Sequence, residues 1–140
     1  MDFEKIIEQD FVIDRLTNSI LNTISGDSFP TEVSILTKND LKTITKKKGW
    51  NFNWRAEFKN EKTEQFKLTI VNNPSIVQGL LSITIENDHV FMNLLESAPF
   101  NIGQNKLYEG VAGNMVAYAC KLSFQKGLTD LLHLQQKQDL

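Results

Sequence analysis

Two glycines, Gly110 and Gly113, stand where the chain enters a helix whose apolar residues recur on one face. A glycine inside a helix lowers its stability by roughly 1 kcal/mol relative to alanine. Glycine at these positions makes sense if a ligand must approach the backbone closely. The first N–H groups of a helix lack intrahelical partners and carry partial positive charge, so phosphate is the natural ligand. The spacing therefore predicts an anion site at the start of this helix.

Other residue types that often do chemistry have structural interpretations here. Cys120 lies among small apolar residues of the same helix, as a buried thiol would, and no histidine is near it in sequence. His89 and His133 are too widely spaced to form a zinc site with this one cysteine. We therefore predict neither a cysteine nucleophile nor a metal centre.

The composition is that of a globular protein. The chain has 140 residues, 41% hydrophobic and 23% charged, which fits one domain over residues 1–140. A net charge of −2 provides no global basic field, so nucleic acid is an unlikely partner. One cysteine suits a reducing compartment, and neither a signal peptide nor an apolar run long enough to span a membrane is evident. These features predict a cytoplasmic protein that needs no membrane partner.

The order of elements predicts an α+β fold with a mostly antiparallel mixed sheet and flanking helices. Residues 37–48 have the caps and periodicity of a helix that ends at Gly49, and a second helix ends at Gly127. Alternating or continuously apolar runs predict strands. These runs are residues 50–58, 66–70, 81–85 and 90–95.

The segment around the glycines resembles the GNAT superfamily of acyl-CoA N-acyltransferases. In that family a strand and a loop precede a helix that begins Arg/Gln-x-x-Gly-x-Gly/Ala. The run Gly110-Val111-Ala112 matches the end of this motif, and Met115 and Val116 occupy its usual apolar positions. Leu107 stands at the Arg/Gln position, which is a departure from the pattern. The clear resemblance covers residues 66–127.

The resemblance implies transfer of an acetyl group from acetyl-CoA to an amine. It implies that the pyrophosphate of CoA binds the N–H groups at residues 110–113, and that the acyl carbonyl binds the main chain at residues 94–97. The cofactor-binding residues that it implies are Leu94, Leu95, Glu96, Ser97, Lys106, Tyr108, Gly110, Val111, Ala112 and Gly113. Glu96 is also the candidate general base, since burial could raise the pKa of its carboxyl. The alternative is a strand-end carboxylate that is solvated or bonded to a loop.

The C-terminal segment departs from the family, which continues after this helix with a strand that splays from the preceding one. Here Gly127 is followed by LTDLLHLQQKQDL, in which we find no strand alternation. We therefore expect a fold truncated after the helix. A frameshift is one hypothesis for this departure, and a genuinely different short C-terminus is the other. An alternative function follows: a non-catalytic remnant or interaction module that forms a homodimer through an exposed strand edge.

Overall fold

A computed structural model describes residues 18–125 and the backbone of Leu132–Leu134. Its strands are β1 (Ser19–Asn22), β2 (Ser28–Ile35), β3 (Glu64–Ile70), β4 (Gly79–Ile85), β5 (Val90–Ser97), β6 (Tyr108–Glu109) and β7 (Leu132–Leu134). The α-helices are α1 (Trp54–Lys59) and α2 (Val111–Gln125), and single 3-10 turns occupy Asn39–Lys42, Lys46–Lys48 and Pro99–Asn101. None of the helices within these residues combines the length and apolar character that crossing a membrane requires.

The strands form one mixed sheet in the order β6-β1-β2-β3-β4-β5-β7. Every pairing is antiparallel except that between β5 and β7, which is parallel. Helices and turns flank this sheet. The predicted α+β class with a mostly antiparallel mixed sheet is therefore confirmed.

The sheet carries a hydrophobic core on each face. Helix α2 covers one face, where Met115 packs with Leu81 and Ile83 of the interior strand β4. The segment 36–59 covers the other face, where Trp54 packs with Leu80. Because β4 and β5 are buried on both faces, they are almost continuously apolar, as the run at residues 90–95 predicts.

A β-bulge at Asn93 changes which face of the sheet the later side chains of β5 occupy. Ser82 pairs with Leu94 and the next residue of β4 pairs with Met92, so Asn93 is an extra residue in the ladder. Side chains alternate along a strand, so Met92, Leu94 and Glu96 would share a face without the bulge. Instead Met92 joins the core under α2, whereas Leu94 joins the core on the opposite face.

The predicted helix over residues 37–48 is wrong. The chain instead makes two separate 3-10 turns, because Thr45 between them is extended (φ −135°, ψ 160°) and its hydroxyl accepts a hydrogen bond from the Lys48 N–H. Threonine favours such caps over helix interiors, since its side chain competes for backbone groups. Gly49 ends the second turn in a left-handed conformation (φ 102°), so the predicted stop is confirmed.

The predicted strand over residues 50–58 is also wrong. Its aromatic residues alternate with exposed asparagines as a strand would require, but the backbone runs as a loop into α1. Asn53 caps this helix, since its side-chain oxygen accepts a hydrogen bond from the Ala56 N–H at 3.1 Å. The N–H groups of Asn51 and Phe52 bond to the side chain of Glu96 and are not available for a sheet ladder.

A strand does follow α2, contrary to the expectation from sequence. Strand β7 pairs in parallel with residues 90–92 at the beginning of β5. Three residues are too few to establish a strand period, so backbone pairing to a long neighbouring strand determines this structure. The residues between α2 and β7, and those after Leu134, lie outside the described part of the chain.

Helix α2 approaches the sheet most closely at Gly79. A Cβ atom there would lie 2.6 Å from Cε of Met115 and 2.7 Å from Cγ1 of Val111. The methionine can move, but the valine is fixed at the beginning of the helix. Glycine at position 79 therefore sets the distance between α2 and the end of the sheet.

We predict that Gly79→Ala lowers the free energy of unfolding by about 1–3 kcal/mol, because the added methyl group overpacks this contact. The matched control is Gly113→Ala, where an added Cβ meets nothing within 4 Å and the residue is helical. This control should raise stability by roughly 1 kcal/mol. Urea denaturation measures both. Equal midpoints for Gly79→Ala and the unmodified protein would contradict the prediction.

Candidate functional site

The glycine turn before α2 has the geometry of an anion site. Gly110 has a φ of +96°, a conformation that glycine adopts without strain, and α2 begins at the next residue. The first intrahelical bond joins the Asn114 N–H to the Gly110 carbonyl at 3.0 Å. The N–H groups of Val111, Ala112 and Gly113 therefore precede the helical ladder. Ala112 and Gly113 are exposed, so the surface at this end of the helix is open to a ligand.

Asn114 fixes the position of this turn, and we did not identify it from sequence. Its Nδ2 donates to the carbonyls of Gly110 (2.8 Å) and Ser19 (2.9 Å), and its Oδ1 accepts from the Thr31 hydroxyl at 2.8 Å. One side chain thus connects the start of α2 to β1 and β2. The sequence signal that could have identified Asn114 is that asparagine is a poor helix former and here occurs in the first turns of a helix.

A second amide side chain anchors the loop between β5 and α2. Asn101 is buried, and its Nδ2 donates to the side-chain and backbone oxygens of Gln78 at 2.9 and 3.1 Å. Its Oδ1 accepts from the Tyr108 N–H at 3.1 Å. Gln78 is itself 2% exposed and immediately precedes Gly79. These bonds fix the loop relative to the contact between α2 and the sheet.

The two predicted loop residues lie on the β1 side of the site. The Lys106 carbonyl accepts a hydrogen bond from the Thr23 hydroxyl at 2.7 Å. Tyr108 lies in β6, which pairs with β1, and its ring contacts Phe29 edge to face with centroids 6.0 Å apart. The ring of Tyr108 therefore packs against the sheet.

The end of β5 and the start of α2 lie at the same end of the sheet. Ser97 pairs with Gly79, and Gly79 is the residue that Val111 and Met115 contact. Strand β7 pairs only with residues 90–92 of β5. Among the described residues, no strand pairs with the outer edge of β5 beyond Met92. The predicted carbonyl-binding main chain at residues 94–97 therefore lies beyond the parallel pairing.

Glu96 points away from α2 and bonds to the loop before α1. Its carboxylate accepts hydrogen bonds from the Asn51 N–H (2.7 Å), the Phe52 N–H (3.2 Å) and the Trp54 Nε1–H (2.8 Å). The side chain is 5% exposed. These three hydrogen bonds attach residues 51–54 to the end of β5.

Residues of the types that often act as nucleophiles or metal ligands remain, and Cys120 is the first of them. Cys120 is 3% exposed and packs in the core under α2, as we predicted from its neighbours. Within residues 18–125, no three His, Cys, Asp or Glu side chains are grouped so as to hold a metal ion.

We predict that Glu96→Gln lowers the free energy of unfolding by about 1–3 kcal/mol, because the amide NH2 replaces an acceptor with a donor that faces N–H groups. Glu109→Gln, at an exposed position, is the control and should change stability by less than about 0.5 kcal/mol. Urea denaturation followed by tryptophan fluorescence measures both variants. If the two substitutions have equal effects, the carboxylate does not hold this loop.

No protein-family model matches the chain, and no curated protein matches it in sequence. Several solved structures match its fold, among them the following two. A ribosomal-protein-alanine N-acetyltransferase from Brucella melitensis biovar Abortus 2308 superimposes with a TM-score of 0.57 at 8% identity, over 78% of this chain and 81% of that chain. A transcriptional regulator from Bacillus halodurans C-125 superimposes with a TM-score of 0.53 at 12% identity, over 77% and 83% of the two chains. The chain therefore has a GNAT-like fold.

Proposed function

We propose that the protein binds acetyl-CoA or another acyl-CoA and transfers the acyl group to an amine. The observation that supports this proposal best is the start of α2, where a glycine turn and free helix N–H groups lie beside the end of β5. The resemblance of the sequence to the GNAT superfamily implies that acyl-CoA binds at these same residues. The GNAT-like fold is consistent with it, and one protein of similar fold is an N-acetyltransferase.

In this proposal the pyrophosphate of CoA accepts hydrogen bonds from the N–H groups of Val111, Ala112 and Gly113. The helix dipole adds favourable electrostatic energy of about 0.3–1 kcal/mol for an exposed anion. Space above Gly113 is open, since a Cβ atom added there would have no neighbour within 4 Å. Gly110 provides the turn that exposes these groups, because its φ of +96° is strained for other residues.

The acyl carbonyl would bind the main chain at residues 94–97, along the outer edge of β5. The neutral amine then attacks the carbonyl carbon, the carbon–sulfur bond breaks, and CoA leaves as a thiolate that must acquire a proton. The ammonium form of the acceptor must lose a proton before attack. Because three donors hold Glu96, we expect a water molecule to carry this proton to Glu96 or to solvent.

A non-catalytic protein that keeps the fold is the second candidate. The observation that favours it is the engagement of Glu96, the candidate base, in the loop before α1. Two measurements distinguish these candidates. The first is the release of free thiol from acetyl-CoA in the presence of a panel of primary amines, and the second is the oligomeric state from size-exclusion chromatography. A monomer that binds CoA and releases thiol supports the enzyme. A tight dimer that does not bind CoA supports the interaction module.

We predict that Ala112→Glu weakens CoA binding by about tenfold or more, because a carboxylate at the helix start competes with phosphate for the same N–H groups. Ala112 is exposed and helical, so the substitution should leave the fold intact. Isothermal titration calorimetry with CoA measures the effect. Gly110→Glu should also abolish binding, but it strains the turn as well, so Ala112→Glu is the cleaner test.

The matched control for Ala112→Glu is Gln104→Glu, which adds the same charge at an exposed position of the preceding loop. This control should change the dissociation constant by less than about twofold, since it does not place a charge on the helix N–H groups. Equal CoA affinity in folded Ala112→Glu and Gln104→Glu would locate the anion site elsewhere. Absence of CoA binding to the unmodified protein at millimolar concentration would remove the cofactor proposal.

A further inference from the structure

A groove of about 650 Å³ lies on the side of the molecule that segment 36–59 covers, away from α2. Its walls are the first 3-10 turn and α1. Leu41 and Phe58 form its apolar floor. Four cationic side chains line it: Lys38, Lys42, Arg55 and Lys59. We call this feature the basic groove.

The positive charge of the basic groove is not neutralised by the acidic groups nearest in sequence. Asp40 bonds to Lys67, with 2.9 Å between Oδ1 and Nζ. Burial acts to raise the pKa of Asp40, but hydrogen bonds from Thr37 and Lys67 hold it below its ordinary value. Glu57 is buried and accepts a hydrogen bond from the Ser82 hydroxyl at 2.6 Å. Both carboxylates are thus directed to partners in the protein.

The four cations of the groove are exposed, and none of them forms an ion pair with a residue in the described ranges. Together they make a local charge of +4 on a chain whose net charge is −2. Exposed cations without partners are ordinarily scattered to reduce their mutual repulsion. Concentrating four of them around an apolar floor is a feature that favours an anionic ligand.

The cations form two rows, one on each wall of the groove. Lys38 and Lys42 are four residues apart on one wall, and Arg55 and Lys59 are four residues apart on the other. Four residues correspond to about 6 Å along an α-helix and about 8 Å along a 3-10 helix. Side chains on one face of an extended peptide repeat at roughly 7 Å. Carboxylates at alternate positions of a peptide would therefore reach successive cations of a row.

We propose that the basic groove binds an acidic polypeptide segment that has apolar residues between its carboxylates. The carboxylates pair with the lysines and Arg55, whereas the apolar side chains cover Leu41 and Phe58. A single-stranded nucleic acid fits less well, since the only ring in the groove is half-buried and the chain as a whole is acidic. This inference is independent of the proposed acyl transfer, because no lining residue belongs to the start of α2 or to β5.

Fluorescence anisotropy of the full chain with a labelled synthetic peptide of alternating glutamate and leucine tests the proposal. The test variant is Lys42→Glu/Arg55→Glu. The matched control is Lys46→Glu/Lys47→Glu, which makes the same change of net charge at exposed lysines outside the groove. We expect the test variant to weaken binding by about tenfold or more, and the control by less than about twofold, at low ionic strength. Thermal unfolding of both variants checks the fold.

Two further probes identify the ligand class. A peptide with serine in place of leucine should bind less tightly than the original, because it cannot cover the apolar floor. Single-stranded oligothymidylate should bind less tightly than the original peptide. Equal weakening by the test and control variants, or tighter binding of oligothymidylate, would overturn the proposal. If the test variant does not fold, Lys38→Gln/Lys59→Gln removes charge without reversing it, and Lys46→Gln/Lys47→Gln is its matched control.

Discussion

The bulge at Asn93 is the local constraint on which the candidate site depends. Without the extra residue, Glu96 would face α2 together with Met92. With it, Glu96 faces the opposite layer and accepts three hydrogen bonds there. Asn93 itself donates from Nδ2 to the Thr84 hydroxyl at 2.7 Å, a bond that supports the irregular backbone. A single inserted residue therefore decides which layer receives the carboxylate at the end of β5.

The two halves of strand β5 have different structural roles. Its first half pairs with β4 on one side and β7 on the other, and is a conventional interior strand. Beyond Met92 the described part of the structure pairs it only with β4. The start of α2 lies at this second half, because Val111 and Met115 contact Gly79 opposite Ser97. Polar side chains, namely Asn101, Asn114 and Gln78, hold the connecting loop in that place. This division places residues 94–97 of β5 beside the start of α2 at one end of the sheet.

The two faces of the sheet also differ in their electrostatics. At the start of α2, the helix N–H groups provide a positive potential that suits one compact anion. On the opposite side, segment 36–59 presents four exposed cations in two rows. Lys38 and Lys42 lie on one wall of the basic groove, beside the first 3-10 turn.

Elements whose pattern is local could be predicted from the sequence. The alternation of Phe66, Leu68 and Ile70 predicts β3, and the continuous apolar run predicts that β5 is buried on both faces, because side-chain periodicity depends only on neighbouring residues. The glycine turn before α2 was equally evident, since a positive φ at Gly110 demands glycine. From these elements the α+β class and the resemblance to the GNAT superfamily follow.

Features that depend on partners distant in the sequence could not be predicted from local patterns. The alternating aromatics from Trp50 onward form a loop and a helix because Glu96, 45 residues from Asn51, takes the backbone N–H groups that a sheet would have used. Strand β7 exists because β5 offers it a partner, and its three residues carry too little pattern to predict it. The basic groove joins Lys38 and Lys42 to Arg55 and Lys59, which lie on the other side of the turn at Lys46–Lys48 in the sequence. Local periodicity contains no information about such hydrogen bonds and charges, since they are set by which segments the folded sheet brings together.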